Sequence, residues 1–188
     1  MPTALLESAP PSLAIAGIHA IFRAPPDESQ PLQHAREIVA EYPRPPRLEP
    51  ARRRVRIVFA GQIILDTAAA WRVLETYHPP GYYLPIAAFA PGVLARTART
   101  SFCEWKGSAC YYSIRAGGRL ATDAAWGYPD PSPDFLPIRD HVAVYAGAMD
   151  ACFVDDERVT PQEGRFYGGW ITSELVGPFK GGPGTRFW

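Results

Sequence analysis

Prolines recur along this chain and limit what it can fold into. The 188 residues include 21 prolines, many of them clustered, which breaks the chain too often for long helices. Between the breaks lie short segments of period two, such as Val55, Ile57 and Phe59 alternating with Arg54 and Arg56. Short strands at intervals of about 8 to 12 residues are typical of an antiparallel domain. The sequence therefore predicts a mainly β fold with a few short peripheral helices and long Pro/Gly-rich loops.

Individual elements can be assigned from these patterns. Strands are predicted at 54–59, 62–66, 82–84, 119–126, 141–145 and 152–154, with a strand pair over 102–114 that turns at Lys106-Gly107. Residues 67–76 fit either a helix or a strand. Residues 30–42 show helical spacing and predict a short amphipathic helix. Residues 87–99 predict a loop with one helical turn.

The domain organisation follows from composition. Residues 1–50 form an N-terminal arm and a Pro-rich connector, since 42–50 carries four prolines. Residues 51–160 form the core domain. Residues 161–188, rich in glycine and aromatic side chains, form a tail that packs on the core.

Charge and cysteine content exclude several functional classes. The net charge is zero and the pI about 6.9, so we expect no nucleic-acid partner and no binding to a membrane surface. A run of about 18 apolar residues is absent from the sequence, as is a typical signal peptide. Three cysteines without framework spacing indicate free thiols in a reducing cytoplasm.

Metal and cofactor motifs are also missing from the sequence. Cys103 and Cys110 lie seven residues apart, which is not the spacing of a zinc pair. The segment from Gly177 to Gly184 resembles a phosphate loop only in composition, without a preceding strand or a following helix. We therefore expect no metal and no cofactor.

The segment Ser101–Tyr112 concentrates the chemistry of the chain. It contains Lys106, one of two lysines in a chain whose other basic residues are arginines. A lysine can lose its proton when desolvated and act as a base or nucleophile, or it can bind an anion, whereas arginine stays charged. The alternative is an ordinary lysine in a surface turn before Gly107.

Cys103 and Glu75 are the other two candidate catalytic residues. Cys103 meets Lys106 only if residues 104–107 turn, because positions i and i+3 of a strand face opposite sides. The thiol would then be a nucleophile, although packing as a small buried hydrophobe is favoured. Glu75 falls at a predicted inward position and needs a partner there, either Lys106 or an arginine.

Five aromatic residues complete the predicted site. They are candidates to line a concave pocket for a small molecule, and comprise Tyr83, Trp105, Tyr112, Trp126 and Tyr128. Each can equally be a plain core aromatic. Of the histidines, His78 is the better functional candidate, whereas His141 fits a structural role.

Several linked motifs resemble the family called domain of unknown function 427. Its signature is similar to Cys103-Glu-Trp-Lys-Gly-Ser-Ala-Cys-Tyr-Tyr, and further segments match in order at 73–85, 125–129 and 141–145. The likeness runs from about residue 54 to residue 155, with flanks that resemble extensions of bacterial members. It implies a small β-tent-like fold. The nucleotidyltransferase label sometimes given to the family lacks support here, because the metal-holding Asp-x-Asp pattern is absent from the sequence.

Three functions remain open from the sequence. The favoured one is binding of a small polar or anionic ligand in the aromatic pocket. The second is an enzyme, transferase-like in the family's terms, that uses Lys106, Glu75 and Cys103 in the same pocket. The third is an interaction protein or homo-oligomer that assembles through the N-terminal arm.

Overall fold

Antiparallel strands make up most of the fold. The computed structural model describes residues 35–164 and 166–185, all within a unit that spans 34–188. Seven strands form the larger sheet, in the spatial order β2 (Arg47–Pro50), β5 (Trp71–Leu74), β6 (Gly81–Pro85), β10 (His141–Val144), β9 (Arg119–Gly127), β8 (Gly107–Ala116) and β7 (Leu94–Cys103). Every neighbouring pair in this sheet is antiparallel. The fold is therefore mainly β, as the sequence predicts.

A smaller sheet packs on one face of the larger one. Its four strands lie in the order β12 (Glu157–Arg158), β11 (Ala151–Val154), β3 (Val55–Phe59) and β4 (Gln62–Thr67). The predicted hairpin of β3 and β4 is confirmed, with Phe59 opposite Gln62. Ile57 and Phe59 of the small sheet share one buried cluster with Leu84 and Val142 of the large sheet. This cluster is the main hydrophobic core.

The opposite face of the larger sheet carries a second cluster. Because side chains alternate along a strand, Tyr83 and Ala143 point away from the main core that their neighbours Tyr82 and Val142 enter. The 3₁₀ helix Pro133–Ile138 packs on this second face through Phe135 and Ile138. The aromatic residues of the predicted site belong to this face, with one exception described below.

Two small sheets and three further 3₁₀ turns complete the described chain. β1 (Glu37–Ile38) pairs in parallel with β15 (Leu175–Val176), and β13 (Thr160–Pro161) pairs with β14 (Trp170–Ile171). The 3₁₀ turns are Val39–Glu41, Ile86–Ala88 and Ala146–Ala148. The Trp170 side chain is fully buried and donates from Nε1 to the Val144 carbonyl at 2.9 Å. The C-terminal segment thus packs on the domain.

The helix predicted over 30–42 is wrong where the structure describes it. Residues 30–34 lie outside the described residues, Glu37–Ile38 is a strand, and only Val39–Glu41 makes a helical turn. The Glu37 amide donates to the Glu174 carbonyl, and its carboxylate pairs with Arg72 at 2.9 Å. Tertiary pairing therefore overrides the local helical spacing.

The loop predicted over 87–99 is also wrong beyond its helical turn. Strand β7 begins at Leu94 and continues for ten residues as the edge of the larger sheet. Most of its side chains are exposed on both faces. Such a strand has no alternation of apolar and polar residues, which is the signal that sequence reading depends on.

The N-terminal flank contributes one strand to the sheet. β2 lies inside the range 1–50 that the sequence assigns to arm and connector, and it pairs with β5. Residues 1–34, which include the arm, lie outside the described residues. No helix within the described ranges is long and apolar enough to span a bilayer.

Candidate functional site

One cavity of about 280 Å³ lies on the second face of the larger sheet. Its walls come from the β7–β8 turn, from the segment between β5 and β6, and from the C-terminal segment. Seven of the eight predicted site residues line it: Glu75, Tyr83, Cys103, Trp105, Lys106, Trp126 and Tyr128. Residues far apart in sequence are thus brought together around one space.

Lys106 is held in the wall by the β7–β8 turn. Gly107 follows it with φ of +91°, a conformation that favours glycine, and the Ser132 amide donates to the Lys106 carbonyl. The side chain is only 7% exposed. Its Nζ lies 5.3 Å from the ring centre of Phe135 and 5.8 Å from that of Tyr128. Two aromatic rings thus lie close to the buried ammonium group.

The electrostatic surroundings keep Lys106 protonated. Burial lowers the pKa of the ammonium, but interactions with Tyr83, Cys103 and Glu75 raise it by more, so the pKa lies above its usual range. At neutral pH Lys106 is a cation. In this form Lys106 lacks the free electron pair that a base or a nucleophile requires.

Cys103 reaches the same space because the turn reverses the chain. Residues 104–106 form the turn between β7 and β8, so Cys103 and Lys106 both face the cavity. The Cys103 thiol is partly exposed. Cys110 and Cys152 are 3% and 2% exposed and lie outside the cavity lining. Of the three thiols, only Cys103 is available to a molecule in the cavity.

Glu75 is paired with an arginine, one of the two partners that its inward position suggested. Arg44 Nη1 lies 3.5 Å from Glu75 Oε1, and Arg44 Nη2 lies 3.3 Å from Glu104 Oε1. The Arg44 guanidinium also lies 5.9 Å from the ring centre of Trp105. Arg44 thus connects the two glutamates at the cavity wall and balances much of their charge.

Lys180 is the second buried ammonium group of the cavity. Its backbone amide donates to the Tyr77 carbonyl at 2.8 Å, and its carbonyl accepts from Gln162 Nε2 at 2.7 Å. The side chain is 7% exposed and its Nζ lies 5.1 Å from the ring centre of Tyr167. Backbone anchoring therefore directs this side chain into the cavity from the C-terminal segment.

Neither ammonium group forms an ion pair with a carboxylate of the described residues. In the described part of the chain, no Asp or Glu oxygen lies within 4.0 Å of Lys106 or Lys180. Arg44 contacts both glutamates of the lining. Among the described residues of the lining, the charged groups are therefore three cations and two anions, a net charge of +1.

Pairs of tilted aromatic rings form the remaining walls. The ring centres of Trp126 and Tyr145 lie 4.5 Å apart, and those of Tyr83 and Tyr128 lie 6.3 Å apart. Burial raises the pKa of Tyr83, Tyr128 and Tyr145. These phenols are therefore neutral at pH 7 and serve as apolar surface with a polar tip.

The rim of the cavity carries two exposed aromatic side chains. Phe102 is 76% exposed and Phe166 is 69% exposed, and both belong to the lining. These two side chains extend the aromatic lining of the cavity to its rim.

Tyr112 is the predicted site residue that the structure places elsewhere. Its neighbour Tyr111 faces the cavity, so Tyr112 points to the other face of β8 and packs against the main core. Cys110 Sγ lies 3.5 Å from the Tyr112 hydroxyl, and burial together with this contact raises the pKa of Tyr112 to about 12. Tyr112 does not line the cavity.

His78 lies in the cavity wall, whereas His141 does not. The His78 ring contacts Tyr167 edge-on with ring centres 4.8 Å apart. Burial lowers the pKa of His78, and the charges of Lys180 and Lys106 lower it further. The charge of Glu75 raises this pKa, but by less. His78 is therefore neutral at pH 7.

Sequence reasoning missed several residues of the lining. Arg44 falls in the segment predicted as a connector, and Lys180 falls in the glycine-rich segment whose likeness to a phosphate loop is compositional. The sequence signal that could have identified Lys180 is the rarity of lysine in this chain. The chain has two lysines, and both line this cavity. No group of three or more His, Cys, Asp or Glu in residues 35–164 and 166–185 is arranged to hold a metal ion.

The fold and the site together define an antiparallel β domain with an aromatic-lined cavity of excess positive charge. A family model, NTP_transf_9, described as a domain of unknown function (DUF427), matches residues 47–155. This match covers more than half of the chain, so the protein belongs to that family, as the motifs around Cys103 and Lys106 indicate. A comparison with curated proteins finds no match to the chain.

Proposed function

We propose that this protein binds a small organic anion, a carboxylate or a phosphate with a planar body. The observation that carries the proposal is the placement of the chain's two lysines, Lys106 and Lys180. Both are buried, both line one cavity, and neither is paired with a carboxylate in the described residues.

Electrostatics supports an anionic ligand. Removing an ammonium group from water costs several kcal/mol unless a counter-charge compensates it. Lys180 has the Tyr167 ring as its neighbour, which offers only about 0.5–2 kcal/mol. An anion held by both ammonium groups supplies the counter-charge that Lys180 lacks among the described residues, and it adds to the interactions with Glu75 and Cys103 that already favour the charged form of Lys106.

Size and wall chemistry support a planar ligand of modest size. A volume of about 280 Å³ lies near the lower end of small-molecule sites. Trp126, Tyr128 and Tyr145 offer ring faces on which a planar body stacks. Phe102 and Phe166 extend this apolar surface to the rim.

We also propose a cytoplasmic location. Cys103, Cys110 and Cys152 are all free thiols in the fold. Free thiols persist in reducing compartments, which supports the location without establishing it.

The enzymatic alternative receives narrower support. With Lys106 protonated and Glu75 paired to Arg44, both residues act in binding and positioning rather than as a base. Of the three candidate catalytic residues that the sequence predicts, Cys103 is then the one that remains as a nucleophile. The scaffold alternative involves the N-terminal arm, outside the described residues, and stays a prediction.

A thermal-stability screen tests the proposed function. Aromatic carboxylates and phosphate monoesters are compared with neutral amides of the same shape, such as benzoate with benzamide. A ligand at a hundred times its Kd stabilises the fold by about 2.7 kcal/mol. For a chain of this length we expect a rise of about 5–10 °C in Tm for anions and none for the amides.

Three variants separate site binding from general charge effects. Lys106→Met and Lys180→Met should abolish the rise caused by the anions. Arg115→Met removes the same charge from an exposed position outside the cavity and should retain it. Equal shifts in all three variants, or no shift with any anion, would refute anion binding at this site.

A further inference from the structure

Cys103 shares the cavity with the ammonium groups of Lys106 and Lys180. It is the last residue of β7 and lies three positions before Lys106, and the turn between them brings both side chains to one wall. The neighbouring Cys103 thiol contributes to the raised pKa of Lys106 and of the Tyr128 hydroxyl. The thiol is therefore adjacent to the position where an anion would sit.

We propose that the cavity directs small anionic electrophiles, carboxylates with a reactive carbon next to the carboxylate, onto the Cys103 sulfur, which becomes covalently modified. The inference rests on the proposed anion site. It adds a reactive residue and a ligand class to that site. Lys106 and Lys180 bind the carboxylate, and Cys103 attacks the neighbouring carbon.

The geometry of a short carboxylate fits this role. In such a molecule the reactive carbon is one bond from the carboxylate carbon, so binding of the carboxylate by Lys106 leaves that carbon close to Cys103. Holding two reactants together in this way raises the rate of their reaction without changing the intrinsic reactivity of either. This increase in rate is specific to anions, because a neutral analogue lacks the carboxylate that the lysines bind.

The chemical step balances without a further reactant. The thiol loses its proton to solvent and attacks as the thiolate, which is the nucleophilic form. With a haloacetate, a bond forms between Sγ and the methylene carbon, the carbon–halogen bond breaks, and halide leaves. The product is a carboxymethyl thioether, and its carboxylate stays beside the lysines.

Iodoacetate and iodoacetamide provide a matched pair of probes. They carry the same reactive carbon, and only iodoacetate is an anion. The full-length protein is treated with each reagent, and alkylation of each cysteine is followed by peptide mass spectrometry. The urea-unfolded protein gives the intrinsic rate ratio of the two reagents at the same cysteine. Cys110 and Cys152, both buried and outside the cavity, serve as internal references.

The folded protein should prefer the anionic reagent at Cys103. We expect the iodoacetate-to-iodoacetamide rate ratio to exceed the unfolded value by roughly tenfold or more, the effect of one charge-assisted hydrogen bond. The iodoacetate rate should saturate with concentration, and inorganic phosphate should slow it. Lys180→Met should return the ratio to the unfolded value, and Arg115→Met should keep it.

Different results would contradict the covalent step and the anion site. An unchanged ratio, with a linear dependence on iodoacetate and no protection by phosphate in the wild-type protein, overturns the proposal without relying on any variant. If anions still raise the Tm through Lys106 and Lys180, the binding site stands and only the covalent step fails. If anions also leave the Tm unchanged, both proposals fail. A Cys103→Ser variant that keeps the anion-induced rise confirms that binding and reaction are separable.

Discussion

Replacing Lys180 with methionine tests whether this ammonium group serves ligand binding or the fold. Methionine keeps most of the length and apolar volume of the side chain and removes only the charge. Lys180 is 7% exposed, and no carboxylate in the described residues lies within 4.0 Å of it. The unliganded protein therefore bears the cost of partly desolvating this charge.

The expected magnitude follows from two opposing contributions. Burial of an ammonium costs several kcal/mol in a closed interior and less in a cavity that opens to solvent. The contact between Nζ and the Tyr167 ring, at 5.1 Å, returns about 0.5–1 kcal/mol. We therefore expect the free energy of unfolding of Lys180→Met to be unchanged or higher than wild type by up to about 2 kcal/mol.

Urea unfolding followed by tryptophan fluorescence measures this difference. The m-value should not change, because the substitution leaves the buried surface nearly constant. Arg115→Met, at an exposed position, should change the free energy of unfolding by less than about 0.5 kcal/mol. A loss of more than about 2 kcal/mol in Lys180→Met would refute the reasoning, because the ammonium would then be a structural group.

Three further predictions concern the cavity wall. In urea unfolding, Gly168→Ala should destabilise the fold by roughly 1–3 kcal/mol, because the added Cβ would lie 2.8 Å from Trp126 Cζ3. The same clash should weaken anion binding. Gly147→Ala, where the nearest atom to an added Cβ lies 3.7 Å away, is the control and should be close to neutral. Burial holds the pKa of His78 below its usual 6.5, so its contribution to stability is complete above pH 6.5 and is lost as the pH falls through the folded-state pKa. His78→Gln should therefore flatten the decline of urea midpoints on acidification, and an unchanged slope would contradict this assignment. Tyr112→Phe should leave anion-induced Tm shifts intact, whereas Trp126→Leu should reduce them; equal losses would show that Tyr112 belongs to the site after all.

The sequence predicts the fold well where one face of a strand is buried. The alternation in Val55, Ile57 and Phe59 identifies β3, because these side chains enter the core while their neighbours do not. Strand β7 escapes prediction because it is an exposed edge whose side chains have no such contrast. Residues 37–38 escape prediction because their conformation depends on pairing with residues 175–176, far along the chain.

The candidate site is predictable in part for a similar reason. Cys103, Trp105 and Lys106 are close in sequence, so one turn suffices to bring them together. Tyr112 is the exception among the predicted aromatic residues. Adjacent residues of a strand face opposite sides, so Tyr111 lines the cavity and Tyr112 does not.

Arg44 and Lys180 reach the cavity only through the tertiary fold. No local pattern relates them to Lys106, and each lies more than 60 residues away from it in the chain. Rare residue types are the remaining signal. Two lysines among 19 basic residues deserve to be considered together in a chain of this kind.

The central claim is that Lys106 and Lys180 bind the same anion. Because the chain has two lysines, protein labelled with ¹³C only at lysine gives one methylene signal next to each ammonium group, and Lys180→Met assigns them. Titration with phenyl phosphate or benzoate should shift both signals with a single midpoint, while benzamide should shift neither. Signals that move with different midpoints, or that do not move with any anion, would contradict the account.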